Sequence, residues 1–246
     1  MNPLSIENDL FIIGTGRETP ALTAELAGSK AANLAEMARL GLNIPPAFVT
    51  STRLCQPLNS GSARAEELLR RMLAKGIEEL ERATGRVFGD PRLPLFVSVR
   101  SGAARSMPGM LDTILNTGMT PKTVHGLIRL TGNPRLAWDS YRRFAQAYTE
   151  VTGNCKAEAF ASTLAAAMRA EGAESEAELD PEALERLTAA FLDEAETLLG
   201  TAIPANPFQQ LETAARAVYR SWESERAREY RRLNRLEGLT GTAVTV

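Results

Sequence analysis

The sequence is poor in the side chains that most often perform nucleophilic catalysis or bind transition metals. Its 246 residues include one histidine and two cysteines. A single histidine, His125, argues against a Ser-His-Asp triad and against a histidine-rich metal site, so we expect it to be structural. Cys55 and Cys155 lie far apart and match no metal-ligand spacing, so we expect free thiols in a reducing compartment.

Long apolar runs and a surplus of basic charge are also missing. No window approaches the about 18 apolar residues of a transmembrane helix, and the first residues lack the basic and apolar regions of a secretory signal. With 28 basic and 30 acidic residues, the net charge is -2. This balance does not favour non-specific binding to nucleic acid. We therefore predict a soluble, cytoplasmic protein with no membrane or nucleic-acid partner, in which any anion site is local.

The remaining composition is that of a folded globular protein. Hydrophobic residues make up 44% and charged residues 24% of the chain, and both values are ordinary for globular domains. The length allows one large domain or two small ones.

The N-terminal part alternates short strand and helix patterns. Residues 10–16 are an apolar run that ends in glycines and predicts a strand. Apolar residues at helical spacing then predict a helix with Ser29 as its N-cap and Gly41 as its stop. A β-branched strand follows at 48–52 and an amphipathic helix at 63–82.

Two further strand patterns, at 95–101 and 111–118, flank a loop of small residues. The loop reads Ser-Gly-Ala-Ala-Arg-Ser-Met-Pro-Gly, and its small side chains would let backbone N–H groups approach a ligand closely. Arg100 and Arg105 carry forked donors that suit phosphate oxygens. A plain hairpin with an enlarged turn and two solvated arginines explains the same residues, as does a bulged or crossover connection.

Lys30 is a second candidate anion ligand. It falls in the first turn of the predicted helix, where unpaired N–H groups and the positive end of the helix dipole favour anions. A lysine on a solvated helix face is the alternative.

After Thr120 the strand patterns vanish and helical periodicity continues to about Arg235. Within this section Asp180 and Pro181 predict the start of a helix that runs to Leu199. A linker at 200–208 precedes further helices. The final β-branched run, 240–246, predicts a strand that needs a partner, so we expect a larger fold to continue beyond it.

Basic and aromatic residues are interleaved between 131 and 148. Such a mixture can bind single-stranded nucleic acid. The aromatic residues recur at helical spacing, however, and this pattern favours a core stripe with arginines on its flank. The stripe comprises Trp138, Tyr141, Phe144 and Tyr148, and the arginines are Arg135, Arg142 and Arg143.

Taken in order, these segments resemble the N-terminal nucleotide-binding region of the pyruvate phosphate dikinase family. The first match is GSKAANLAEMARLGLNIPPAFVTST and the second, more specific one is VSVRSGAARSMPGMLDTILNTG. TGNPRLAWDSYRRF and VYRSWESERAREYRRLN continue the resemblance in the same order. Two glycines of the family's Gly-Gly-Lys-Gly pattern are replaced by Ser29 and Ala31. Ala104 and Arg105 stand where the family has Arg followed by Ala.

The resemblance implies an α+β fold that forms the first part of an ATP-grasp domain. In this interpretation residues 1–119 and 206–246 are its N-terminal α/β subdomain, with a small mixed or antiparallel sheet and helices. Residues 120–205 are an inserted all-helical subdomain.

The resemblance also implies the ligand and the site. The ligand is ATP with Mg2+, and the loop from Ser101 to Thr113 would close over its phosphates. The phosphate-binding residues would be Lys30, Arg100, Ser101, Gly102, Arg105, Ser106 and Gly109. Supporting residues would be Met107, Pro108, Asp112, Thr113 and Arg135. It identifies no catalytic residue and no metal ligand in this sequence.

Members of this family use ATP to phosphorylate a histidine on a separate domain, which leads to interconversion of pyruvate and phosphoenolpyruvate. The sequence lacks the family's second ATP-grasp half, with its metal-binding carboxylates, and the phosphohistidine domain. Charge neutralisation dominates phosphoryl transfer, so we expect the isolated chain to be inactive. Its partners would be a nucleotide and, on a separate chain, the second ATP-grasp half or a phosphohistidine domain. The alternative is a non-catalytic binding or regulatory module that binds a partner chain or another anion.

Overall fold

A computed structural model describes residues 3–107, 109, 112–155 and 157–246. The chain divides into two compact units, which we call unit 1 and unit 2. Unit 1 comprises Met1–Arg86, Ser98–Thr113 and Leu211–Val246. Unit 2 comprises Val87–Val97 and Ile114–Gln210. The domain boundaries predicted from the sequence stay a prediction.

The described residues form helices and short strands. The helices are α1 (Ile6–Asp9), α2 (Ala24–Ala27), α3 (Ser29–Arg39), α4 (Cys55–Asn59), α5 (Ala63–Thr84), α6 (Thr123–Thr131), α7 (Pro134–Gly153), α8 (Ala161–Glu171), α9 (Pro181–Leu199), α10 (Pro207–Ser221) and α11 (Glu225–Leu233). The strands are β1 (Leu10–Ile13), β2 (Ala47–Thr50), β3 (Val87–Phe88), β4 (Pro94–Leu95), β5 (Val97–Ala103), β6 (Thr113–Thr117) and β7 (Thr242–Thr245).

The strands of unit 1 form an antiparallel sheet in the order β1-β2-β7-β5. The C-terminal strand β7 therefore has a partner on each side. Val49 of β2 lies opposite Thr245, and Ser101 of β5 lies opposite Val244. Helices combined with an antiparallel sheet confirm the predicted mixed α and β class.

One face of this sheet packs against α3 through small side chains. Ala31 and Ala35 of the helix are buried with Val49 and Ala243 of the sheet. The two alanines are four residues apart and so lie on one helix face, where a methyl group lets helix and sheet approach closely. Ala31, one of the departures from the family pattern, is thus a core residue.

Helix α5 packs against β2 on the opposite face. Phe48 is fully buried, and its side chain points away from the α3 face because neighbouring strand residues alternate. Its ring lies against Gly76 of α5, where an added Cβ would come within 2.5 Å of the ring. This contact requires glycine at position 76.

Unit 2 has a helical core built on α7 and α9. The predicted aromatic stripe of α7 is confirmed: Tyr141, Phe144 and Tyr148 are buried, and successive ring centroids from Trp138 onward lie 6.4, 6.4 and 5.5 Å apart. His125 lies exposed and edge-on to Trp138, at 5.7 Å between ring centroids.

Helix ends follow local capping chemistry. The predicted cap at Asp180 is confirmed, because its carboxylate accepts a 2.7 Å hydrogen bond from the N–H of Ala183. The predicted N-cap at Ser29 is wrong. Ser29 is the first residue of α3, and Gly28 occupies the cap position with φ 79° and ψ 152°. That conformation is almost exclusive to glycine.

Two other features bear on the expectations from composition. Cys55 and Cys155 are free thiols, Cys55 buried and Cys155 half-buried. No helix in the described part of the chain has both the length and the apolar character needed to cross a membrane.

Candidate anion-binding site

A small cavity of unit 1 lies where the N-terminus of α3 meets β5 and the loop after it. Its volume is about 80 Å³, well below the few hundred Å³ of a pocket that encloses a whole small-molecule ligand. The lining residues are Ser29, Lys30, Ser101, Gly102, Ala103, Arg105, Ser106, Met107 and Gly109. A space of this size suits one small group of a larger ligand.

The cavity depends on an unusually close approach of two backbones. A Cβ atom added to Gly28 would lie 2.2 Å from the carbonyl oxygen of Gly102. Glycine at position 28 therefore serves two purposes: it adopts the positive φ, and it leaves room for β5. The approach brings the first turn of α3 next to the strand.

The N-terminus of α3 offers backbone donors to this cavity. Gly28 at the cap position has no side chain with which to cap the helix, and the first N–H groups of any α-helix have no partner within the helix. Those N–H groups and the helix dipole together favour an anion. Ser29 instead turns its hydroxyl towards the strand and donates a 3.2 Å hydrogen bond to the carbonyl of Ala103.

Three cations surround this end of the sheet. Lys30 and Arg105 line the cavity and are exposed. Arg100 is exposed but is not among the lining residues. Strand alternation places it on the same face as Gly102, which faces α2 and the start of α3. None of the three has an ion-pair or hydrogen-bond partner within the described ranges.

Met107 and Asp112 are predicted supporting residues with different surroundings. Met107 is buried and lines the cavity. Asp112 does not line it, and its carboxylate lies 3.3 Å from the guanidinium of Arg226. Burial raises the pKa of Asp112, and Arg226 offsets this rise only in part. The backbone of Asp112 supports the loop, because its carbonyl accepts a 3.4 Å hydrogen bond from the N–H of Ser101.

The structure does not bring the other predicted supporting residues into the cavity. Thr113 begins β6 and is not among the lining residues. Arg135 belongs to unit 2, where its guanidinium donates to the carbonyls of Leu179, Glu176 and Ala177 at 2.9 to 3.1 Å. Pro108 lies outside the described residues.

Ser29 and Ala103 are lining residues that sequence reasoning did not assign to the site. The sequence predicts Ser29 as a helix cap. A serine beside a helix start predicts capping more readily than a contact with a strand more than 70 residues away. Ala103 has only a methyl side chain, which does not indicate a binding role in the sequence.

The described residues do not form a site for Mg2+. No group of three or more histidine, cysteine, aspartate or glutamate side chains among them could hold a metal ion. Asp112, the one acidic residue that the sequence placed in this region, is engaged by Arg226. Mg2+ prefers several oxygen ligands in octahedral geometry, which one paired carboxylate does not supply.

Comparison with known proteins identifies the family. The family model for the pyruvate phosphate dikinase AMP/ATP-binding domain matches residues 65–246. The chain is 41% identical over 238 residues to pyruvate, phosphate dikinase 2 of Zea mays, covering 96% of this chain and 27% of that protein. It is 40% identical over 238 residues to the enzyme of Rhizobium meliloti, with 96% and 26% covered. The corresponding values for Clostridium symbiosum are 42% over 231 residues, with 93% and 26% covered.

The chain therefore spans about a quarter of the length of these relatives, and residues 65–246 match the family's AMP/ATP-binding domain. The resemblance noted in the sequence is confirmed. This chain belongs to the pyruvate phosphate dikinase family, and it corresponds to the AMP/ATP-binding portion of that family.

Proposed function

We propose that this chain is the nucleotide-binding part of a pyruvate phosphate dikinase-like phosphotransferase and that the cavity at the start of α3 binds a phosphate group of ATP. One observation carries the proposal: Lys30 and Arg105 line a backbone-walled cavity at a helix N-terminus, and neither has a partner in the described structure. Membership of an AMP/ATP-binding family supplies the identity of the anion.

Each part of the site has a physical role in this proposal. The N-terminus of α3 supplies N–H donors and a partial positive charge. Lys30 adds a compact ammonium group, and Arg105 adds a planar guanidinium that can donate two parallel hydrogen bonds. Arg100, on the same sheet face but outside the cavity, is placed to bind the next phosphate along the ligand.

The fold assignment belongs to the same proposal. The antiparallel sheet of unit 1, with α3 on one face and α5 on the other, serves as the N-terminal subdomain of an ATP-grasp domain. Residues 1–119 and 206–246 form this subdomain and 120–205 form a helical insert. A cytoplasmic location stays a prediction, because the relatives include enzymes named as chloroplastic.

The proposed activity of the chain alone is binding without turnover. Phosphoryl transfer depends mainly on neutralising the negative charge of the transferred group. The described residues supply cations on one side of the ligand but no Mg2+ site. The full reaction, phosphorylation of a histidine on the way to phosphoenolpyruvate, then requires a second ATP-grasp half and a phosphohistidine domain.

Titration calorimetry with ATP on Lys30→Gln tests the site. The substitution removes a charge that faces the ligand, and hydrogen bonds to charged groups are worth about 1.5–3 kcal/mol. We expect binding at least about tenfold weaker, since 1.4 kcal/mol is a factor of ten. Lys122→Gln is the matched control, because Lys122 is an exposed lysine of unit 2.

Two results would contradict the proposal. If the wild-type protein shows no heat of binding with millimolar ATP, a nucleotide is not the ligand of this chain. Equal losses in Lys30→Gln and Lys122→Gln would show that ATP binds through general charge rather than at this cavity. Tighter binding of inorganic phosphate than of ATP would instead favour a module for another anion.

A further inference from the structure

Thr245 of β7 carries a buried hydroxyl group that has no partner among the described residues. The residue is 8% exposed, and its Oγ1 atom makes no hydrogen bond within the described residues. Buried polar groups are nearly always hydrogen-bonded, and leaving one unpaired costs free energy. A strand position such as this accepts valine with almost the same shape, so packing alone does not require a hydroxyl.

The sheet register places this hydroxyl next to Arg100. Thr245 lies directly opposite Arg100 in the antiparallel pair of β7 and β5, and residues in that relation project from the same face. Arg100 and Gly102 share a face because they are two residues apart. A Cβ added to Gly102 would be 3.2 Å from the carbonyl oxygen of Ala27, at the junction of α2 and α3.

Thr245 therefore lies on the α3 face of the sheet, displaced from the cavity along the strand. Gly102 lines the cavity and pairs with Ala243, whereas Arg100 pairs with Thr245. The two pairs are about 7 Å apart along the strands. That spacing suits an elongated polyanion with one anionic group in the cavity and another beside Arg100.

We propose that Thr245 is a further ligand-binding residue of this site: its hydroxyl donates a hydrogen bond to the anionic group that Arg100 binds, which is the phosphate next to the one in the cavity. The inference rests on the proposed function. A rotation of 120° about χ1 moves the hydroxyl of a threonine to another staggered position, so the proposed contact needs no backbone movement. Bound phosphate supplies the acceptor that is missing from the described part of the chain.

Thr245→Val tests this role, because it removes the hydroxyl and keeps the β-branched shape. We expect ATP affinity to fall about tenfold, as for loss of a hydrogen bond to a charged group. Thr245→Ser keeps the hydroxyl and should bind ATP like the wild type. Thr117→Val is the matched control, because Thr117 of unit 2 also has a buried Oγ1 without a partner in the described structure.

The free protein gives a second readout with the opposite sign. Removing an unpaired buried hydroxyl removes its desolvation cost, so the Tm of Thr245→Val without ligand should equal or exceed that of the wild type. A structural hydroxyl would instead lower the Tm when removed. If the valine variant folds poorly, Thr245→Ala and Thr245→Ser replace it. The serine variant must then bind ATP about tenfold more tightly than the alanine variant.

The outcomes separate the two proposals. A wild type that does not bind ATP overturns the proposed function and this inference with it. If the wild type binds ATP and Lys30→Gln weakens binding, but Thr245→Val binds like the wild type, only the role of Thr245 is overturned. An equal loss in Thr117→Val has the same meaning, because it would reflect a general effect of lost hydroxyl groups.

Discussion

Substituting Gly28 by alanine should destabilise unit 1 far more than the same change at another glycine with positive φ. The Cβ of the alanine would lie 2.2 Å from the carbonyl oxygen of Gly102, which is backbone and cannot rotate away. Gly41 is the matched control. Its φ is 82°, close to the 79° of Gly28, and a Cβ there would meet nothing within 4 Å.

The expected magnitudes follow from these two environments. A non-glycine residue with positive φ costs about 1–2 kcal/mol, which applies to Gly41→Ala. The conformation of Gly28, with φ 79° and ψ 152°, is more strongly restricted to glycine, and backbone strain of this kind costs about 1–3 kcal/mol. Overpacking adds typically about 1–3 kcal/mol when atoms must be displaced. A displacement of backbone belongs at the upper end of that range. We expect Gly28→Ala to lose about 3–5 kcal/mol of unfolding free energy and Gly41→Ala about 1–2 kcal/mol.

Tryptophan fluorescence can report on unit 1 by itself. The chain has two tryptophans: Trp222 is buried in unit 1, with the guanidinium of Arg231 3.9 Å from its ring centroid, and Trp138 lies in unit 2. In a Trp138→Phe background, urea unfolding followed through Trp222 gives the free energy of unit 1. Both variants should keep the parental m-value.

The refuting result is equal destabilisation of the two glycine variants. That outcome would mean that α3 and β5 do not approach as closely as the 2.2 Å contact requires, and the cavity between them would lose its basis. If Gly28→Ala loses more unfolding free energy than Gly41→Ala but binds ATP like the wild type, the close approach of α3 and β5 is supported and the proposed binding site is refuted.

Two further predictions concern titratable groups of unit 1. Arg82 donates a hydrogen bond to the buried carboxylate of Glu79 and holds its pKa below the usual 4.5. The stabilisation is therefore present above pH 4.5 and is lost as the pH falls through the lowered pKa, so in urea unfolding the advantage over Glu79→Gln should shrink as the pH is lowered from 4.5. Burial raises the pKa of Cys55 to about 11, which leaves about one thiolate in a thousand at pH 8. A chromogenic disulfide reagent should then label the half-buried Cys155 quickly and Cys55 only after unfolding, and rapid labelling of two thiols would contradict the burial.

Local sequence chemistry accounts for most of the helices. The start of α9 at Pro181 follows from Asp180, whose side chain caps the helix and whose neighbour already has the φ of a first turn. Helix α5 follows from apolar residues at helical spacing, predicted at 63–82 and observed at Ala63–Thr84. Both signals lie within a few residues of the element they specify, so no tertiary information was needed.

The individual strands could be predicted from the sequence, but their order and pairing in the sheet could not. The β-branched run at 240–246 predicts a strand, yet nothing near it shows that β7 lies between β2 and β5. Ser101 and Val244 pair across more than 140 residues of chain, and such pairing is decided by packing rather than by local pattern. The strands β3 and β4 have two residues each, and so short a segment shows no periodicity from which a strand could be predicted.

The site shows the same division between local and long-range information. Charge and glycine content are visible residue by residue, so the sequence predicts Lys30, the small-residue loop and its arginines as an anion site; of these cations, Lys30 and Arg105 line the cavity. It misassigned Ser29 as a cap, since the approach of β5 that engages its hydroxyl comes from elsewhere in the chain. The proposed role of Thr245 depends in the same way on strand register, which places this residue opposite Arg100.

Two kinds of charged residue in this protein differ in their consequences for function. Arg142 of unit 2 is 2% exposed and is engaged by the carboxylates of Asp139 and Glu176, as a buried charge must be to avoid a large desolvation cost. Lys30 and Arg105 are exposed and unpaired in the described structure, so water solvates them and their contribution to folding is small. Their replacement should change anion binding at nearly constant stability. Replacement of Gly28, which brings the helix to the strand, should change both, and measuring affinity and unfolding free energy on one set of variants separates residues that bind the ligand from residues that build its site.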